Sequence, residues 1–121
     1  MGMEAQKPVR WIGSAYEYWK AFPEEVQDVM GYALDRAQQG GKAGNVKLLK
    51  GFKGATVLEI VDDFGGNTWR AIYTVQFKGF IYVLHAFQKK SKKGVATSKS
   101  DIRLIEQRLK EAREHYATSK A

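Results

Sequence analysis

Cysteine is absent from this 121-residue chain. That absence excludes disulfide frameworks, thiolate nucleophiles and sulfur-ligated metals, and it agrees with a reducing cytoplasm. Histidine is scarce: His85 and His115 are the only two, on separate predicted elements, so no ligand cluster of ordinary metal spacing can be read. No metal and no other cofactor is expected. Long hydrophobic runs are missing too. The longest, residues 80–87, is interrupted by His85 and falls far short of the ~20 residues that cross a bilayer. Residues 1–8 carry charge, but the apolar stretch of a signal peptide does not follow them. The expectation is a cytoplasmic protein with no membrane segment. Negative charge is in short supply, with 13 Asp and Glu against 20 Lys and Arg for a net charge of +7. A polyanion is the first partner to expect, and nucleic acid leads that class. Without a repeat, low-complexity stretch or linker to divide it, the chain reads as one domain over residues 1–121, with 1–8 a flexible N-terminus.

What is present is an alternation of short patterns. Residues 9–12 form a β-type run closed by Gly13-Ser14, where the serine can cap a following helix. Tyr16, Trp19, Lys20 and Phe22 keep helical spacing, and Pro23 suits the first position of a second helix. Glu24, Glu25 and Asp28 complement its dipole, while Val26, Val29, Met30, Ala33, Leu34 and Ala37 make its apolar stripe up to Gly40-Gly41. Residues 41–54, rich in Gly and Lys, read as a basic connecting loop with little local structure. Residues 57–61 and 68–77 make a hairpin around Gly65-Gly66, and residues 80–88 a third antiparallel strand. Lysines at 89, 90, 92 and 93 follow directly. Ser98 or Ser100 caps a last helix carrying Ile102, Ile105, Leu109, Ala112 and Tyr116 as its apolar stripe. The order β-α-α-β-β-β-α predicts an α+β fold: one antiparallel sheet with an N-terminal strand, helices mainly on one face, and the other face partly open.

Strand alternation then selects candidate chemistry. In residues 80–89, Ile81, Val83, His85, Phe87 and Lys89 point one way. In the preceding strand Arg70, Ile72 and Thr74 share one face, and Trp69, Ala71, Tyr73, Val75 and Phe77 the apolar other. Pairing around Gly65-Gly66 puts Glu59 on the Arg70 side, so a Glu, an Arg, a His and a Lys can share the open face. Cleaving RNA without a metal needs a group to take the 2′-hydroxyl proton, cations for the pentacoordinate phosphorus, and a donor for the leaving 5′-oxygen. Arg70 suits the phosphate clamp, His85 general acid or base, and Lys89 or Lys90 added charge. Phe87 could stack a base. Lys50, Lys53, Lys92 and Lys93 could grip the RNA backbone.

The stretch Tyr82-Val83-Leu84-His85-Ala86-Phe87-Gln88-Lys89-Lys90-Ser91, following Trp69-Arg70-Ala71-Ile72-Tyr73, resembles phage-derived, HigB-like members of the RelE toxin superfamily. The resemblance runs from about Val9 to about Tyr116. It implies a microbial RNase-type fold and ribosome-dependent cleavage of translated mRNA. It also implies neutralisation by a helix-turn-helix antitoxin, with operator DNA reached only through that antitoxin. Arg70 matches the arginine that holds the scissile phosphate, Lys89 or Lys90 the basic position ending the last strand, and Lys50 and Lys53, more loosely, the loop lysines. Residues 91–100 depart from the pattern, because no tyrosine stands where several superfamily toxins carry a catalytic one. Either His85 substitutes, or cutting relies on electrostatics and positioning, or the protein does not cut.

Plainer roles compete. A histidine inside an apolar strand is commonly a hydrogen-bonded structural residue, Phe87 commonly packs, and Arg70 can simply pair with Glu59 across the hairpin. The functional alternatives are a non-catalytic basic module that grips RNA or the ribosome, a phage-derived accessory protein, or a structural partner of a DNA-binding protein.

Overall fold

The computed structural model describes residues 6–90 and 97–119, with residue 90 described by its backbone alone. Its elements are β1 (Val9–Trp11), α1 (Ala15–Lys20), α2 (Glu24–Gln38), β2 (Val46–Leu48), β3 (Val57–Phe64), β4 (Asn67–Thr74), β5 (Ile81–Lys90) and α3 (Lys99–Ser119). The order is the expected one with a single addition, the three-residue β2, inside the segment read as a loop. Five strands form one sheet in the order β1-β5-β4-β3-β2. β1 runs parallel to β5 and every other pairing is antiparallel. The fold is α+β.

The β3–β4 hairpin is built by its turn. Phe64 pairs with Asn67 across a two-residue loop in which Gly65 and Gly66 have φ of 63° and 80°. Positive φ at both loop positions is the turn whose twist matches that of the flanking strands, and residues without a Cβ adopt it freely. The register it sets runs the length of both strands, from Phe64↔Asn67 to Val57↔Thr74.

Each sheet face carries its own core. On one face, Val26, Met30, Ala33, Leu34 and Ala37 of α2, with Ala15 of α1 and Phe22, pack against Leu58, Ile60, Ala71, Tyr73, Ile81 and Val83. Val29, expected in the α2 stripe, is instead 38% exposed. On the other face, Ile105, Leu109 and Ala112 of α3 pack against Val57, Ile72, Tyr82 and Leu84. Two of the three helices thus share a face as expected, and α3 covers part of the face read as open.

A bulge in β5 corrects the expected alternation. Ile72 pairs with His85 but the next residue, Tyr73, pairs with Val83, leaving Leu84 as an extra residue. One inserted residue reverses which side of the sheet the following side chains meet. Ile81 and Val83 therefore belong to the α2 face, whereas Tyr82, Leu84 and Phe87 belong to the α3 face. Phe77 also differs from expectation: it lies beyond the end of β4 and packs edge-on to Tyr82 at 5.5 Å on the α3 side.

Polar contacts fix how α3 and the segment before β1 sit. Ser14 occupies the position before α1, yet its hydroxyl makes no cap and accepts from Arg108 Nη2 at 2.9 Å. Arg108 Nη1 donates to the Leu84 carbonyl at 3.1 Å, inside the bulge. Lys7, in the expected flexible stretch, exchanges hydrogen bonds with Gln38; residues 1–5 of that stretch lie outside the described residues. His115 is exposed and pairs with the Tyr82 hydroxyl through Nδ1 at 2.8 Å. Among the described residues no helix is long and apolar enough to cross a membrane.

Candidate functional site

Strand register brings most of the polar candidates to one end of the α3-side face. Arg70 stands opposite Phe87, and Ile72 stands opposite both His85 on β5 and Glu59 on β3. Arg70 Nη1 donates to Glu59 Oε2 at 3.1 Å and to Thr97 Oγ1 at 3.3 Å. The Thr97 hydroxyl donates in turn to the same Glu59 oxygen at 3.0 Å. Lys47 Nζ, from the edge strand β2, lies 3.6 Å from Glu59 Oε1. With Glu59 1% and Arg70 2% exposed, this is a buried ion pair whose geometry, more than its Coulomb energy, makes it tolerable.

The second half of the cluster centres on Asp101, in the first turn of α3. His85 Nε2 lies 2.9 Å from Asp101 Oδ1. Asp101 Oδ2 receives the Ser98 hydroxyl at 2.7 Å and Lys89 Nζ at 3.4 Å. The Asp101 N–H donates back to Ser98 Oγ at 3.1 Å, which makes Ser98 the cap of α3, at the serine-to-acid spacing of a capping box. His85 is 5% exposed, and its ring stacks on Phe87 at 4.6 Å between centroids.

Burial is the largest influence on the His85 imidazole and pushes its pKa down; the Asp101 hydrogen bond and charge oppose this, and the Arg108 charge adds to it. For Asp101, burial pushes the pKa up, but the hydrogen bonds from His85 and Ser98, with the His85 and Lys89 charges, outweigh it and hold the carboxyl below its usual range. A neutral imidazole beside an ionised carboxylate must carry its hydrogen on Nε2. Nδ1 is then the lone-pair nitrogen, and it is buried with no hydrogen-bond partner among the described residues. The arrangement joins a neutral acid–base group, a guanidinium and an ammonium within one cluster. As folded, Arg70 and His85 are both turned toward protein partners.

Arg70, His85, Phe87 and Lys89 are thus brought together. Phe87 is half-buried beneath the His85 ring, with Lys89 Nζ 5.8 Å from its centroid. Lys50 and Lys53 are exposed in the loop between β2 and β3. Lys53 borders a hollow of about 330 Å³ with Gly51, Phe52, Glu106 and Leu109, and neither lysine makes an ion pair among the described residues. The side chain of Lys90, and all of Lys92 and Lys93, lie outside the described residues. Asp101, Ser98, Thr97 and Lys47 are the members that strand alternation did not find. The signal for Asp101 was present as the serine-to-acid spacing of the capping box, but that pattern speaks of a helix start and says nothing of the strand it meets. Among the described residues no group of three His, Cys, Asp or Glu residues could hold a metal ion.

A family model described as phage derived protein Gp49-like (DUF891) matches residues 17–110. That span contains every member of the cluster, from Lys47 to Asp101. No curated protein and no solved structure matches the chain.

Proposed function

The chain belongs to the phage-derived Gp49-like family, and from that premise we propose that it is the RelE/HigB-like toxin of a type II toxin–antitoxin pair, an endoribonuclease that cleaves mRNA on the ribosome and so stops translation. The observation that carries this reading is the convergence of Arg70, His85 and Lys89 at one end of a sheet face in a chain of net charge +7. In the reaction the 2′-oxygen attacks phosphorus, the bond to the 5′-oxygen breaks, and the products are a 2′,3′-cyclic phosphate and a 5′-hydroxyl. The proton travels from the 2′-oxygen to the leaving 5′-oxygen by way of His85 Nε2, the ring nitrogen on the Asp101 side, since Nδ1 is buried; Arg70 holds the non-bridging oxygens, and Lys89 adds positive charge as the pentacoordinate phosphorus forms. Lys50, Lys53, Lys90, Lys92 and Lys93 follow the RNA backbone, and Phe87 supports the imidazole from below. The partners are mRNA and a helix-turn-helix antitoxin, through which alone operator DNA is reached.

One observation favours a second reading, a basic module that binds RNA or the ribosome without cutting: Arg70 is buried against Glu59 and Thr97. Induced expression in a bacterial host separates the two. Wild type, His85→Gln and Lys89→Ala are compared for growth and for new mRNA 5′ ends, with Arg70→Lys in place of an alanine variant so that Glu59 keeps a cation. Growth arrest with new 5′ ends, lost in folded His85→Gln, is the expected result. Normal growth with intact mRNA from soluble wild type would leave the binding module.

A further inference from the structure

Among the described residues, the polar contacts that tie the start of α3 to the sheet run through two side chains, Thr97 and Asp101. The buried apolar anchorage of the helix begins only at Ile105, and Arg108 adds its two hydrogen bonds beyond that. The Asp101 carboxylate is the more telling of the two. Three donors converge on its two oxygens: His85 Nε2 at 2.9 Å, Ser98 Oγ at 2.7 Å and Lys89 Nζ at 3.4 Å. Two of the three belong to β5, the strand that carries the proposed chemistry. A carboxylate and a phosphodiester each present two oxygens sharing one negative charge, so donors arranged for the first also suit the second.

We propose that Asp101 occupies the seat of an RNA phosphate, so that the first turn of α3 and the substrate compete for His85 and Lys89. This inference rests on the reading of the β4–β5 cluster as an RNA site. Glu59 cannot play the same part, because it lies within β3 and is 1% exposed. The Asp101 side chain is 21% exposed and stands in the first turn of α3, ahead of Ile105, the first buried residue of the helix. When the carboxylate swings away, the Nε2–H of His85 and the Lys89 ammonium are left without their acceptor, and a phosphodiester oxygen can replace it charge for charge. Asp101 is thus an internal competitor that keeps the site closed until a backbone phosphate is present.

Fluorescence anisotropy with a 5′-labelled single-stranded RNA tests this on the full chain. Asp101→Asn keeps the side-chain size and removes the charge, and it is expected to tighten RNA binding by about fivefold or more, within the usual span of coupling between two sites. Glu24→Gln removes one charge from the exposed start of α2 and controls for net charge; Asp101→Glu retains the charge and is expected to bind RNA more weakly than Asp101→Asn. Asp101→Asn binding no tighter than Glu24→Gln overturns the proposal, and if Lys89→Ala still weakens wild-type binding the RNA site itself stands. Absence of RNA binding in every form, wild type included, overturns both. An independent readout on the unaltered protein is the ¹³C resonance of the Asp101 carboxylate. It is expected to move to the position of a solvent-exposed carboxylate as RNA is added, and a resonance that stays in place while RNA binds sinks the competition.

Discussion

A side chain's surroundings decide what its removal reveals, and Arg70 is the sharpest case. Truncating it to alanine leaves the buried Glu59 carboxylate, among the described residues, with only the Thr97 hydroxyl and the exposed Lys47 ammonium at 3.6 Å, at a cost of up to about 3–5 kcal/mol. Loss of activity in that variant would therefore mix chemistry with unfolding. Glu59→Gln combined with Arg70→Met removes both charges, and urea unfolding should find the pair clearly less damaging than Arg70→Ala alone. Tyr73 offers the opposite test. Its hydroxyl is buried without a hydrogen-bond partner among the described residues, and burial pushes its pKa up to about 12. Tyr73→Phe removes a polar atom with no bond to lose, so the unfolding free energy should stay level or rise by up to about 1 kcal/mol. A fall of more than 1 kcal/mol would show that the hydroxyl has a partner after all. His85 gives a pH signature. Its pKa is lower in the folded state than in the unfolded chain, so the unfolded chain binds the proton first as pH falls. The stability that neutral His85 provides is complete above the unfolded value of about 6.5 and is lost as pH drops from there through the folded value. Unfolding measured between pH 7.5 and pH 5 should show this loss, and His85→Gln should flatten it.

Whole elements were legible where a local signal and the tertiary context agree. Gly65-Gly66 announced the hairpin and its register, and through that register the pairing of Glu59 with Arg70 could be read before any coordinate. The apolar stripe of α3 was equally plain. What that stripe faces was not, because periodicity gives a helix its apolar side and leaves open which sheet face receives it. The bulge at Leu84 was invisible for a related reason: one unpaired residue inside the apolar run of residues 81–84 leaves no mark on composition, yet it moves His85 and Phe87 to the face opposite Ile81 and Val83. Asp101 and Thr97 were missed because their partners lie in other strands. The junction of β1 and α1 makes a prediction at this scale. Gly13 has φ of 57°, and a Cβ built there would come within 2.8 Å of Arg108 Nε and 2.9 Å of Cζ. Gly13→Ala thus combines a left-handed backbone, at about 1–2 kcal/mol, with displacement of the guanidinium that joins α3 to Leu84 and Ser14. It should destabilise by about 2 kcal/mol or more in urea, whereas Gly66→Ala, with nothing within 4 Å of its Cβ, bears the backbone cost alone.

At the scale of the whole molecule, charge and chemistry separate cleanly. A chain of net charge +7 binds a polyanion partly by releasing counterions, so the logarithm of RNA affinity should fall linearly with the logarithm of salt concentration. For a single strand each phosphate contact contributes about 0.7 to that slope. Lys50 and Lys53 are exposed, make no ion pair among the described residues, and lie in the loop that feeds β3. If both follow the RNA backbone, the Lys50→Ala, Lys53→Ala double variant should lose about 1.4 from the slope, weaken binding across all sequences alike, and leave the positions of cleavage unchanged. His85 is neutral near pH 7 by virtue of its lowered pKa. Its replacement by glutamine should leave the salt slope untouched while new mRNA 5′ ends disappear. A binding module predicts otherwise, since every loss of function would then scale with charge removed and a neutral residue would matter only through folding. Salt titrations on these two variants and on wild type, beside mapping of 5′ ends, therefore distinguish a ribonuclease that uses its basic surface to hold RNA from a basic surface that does nothing more.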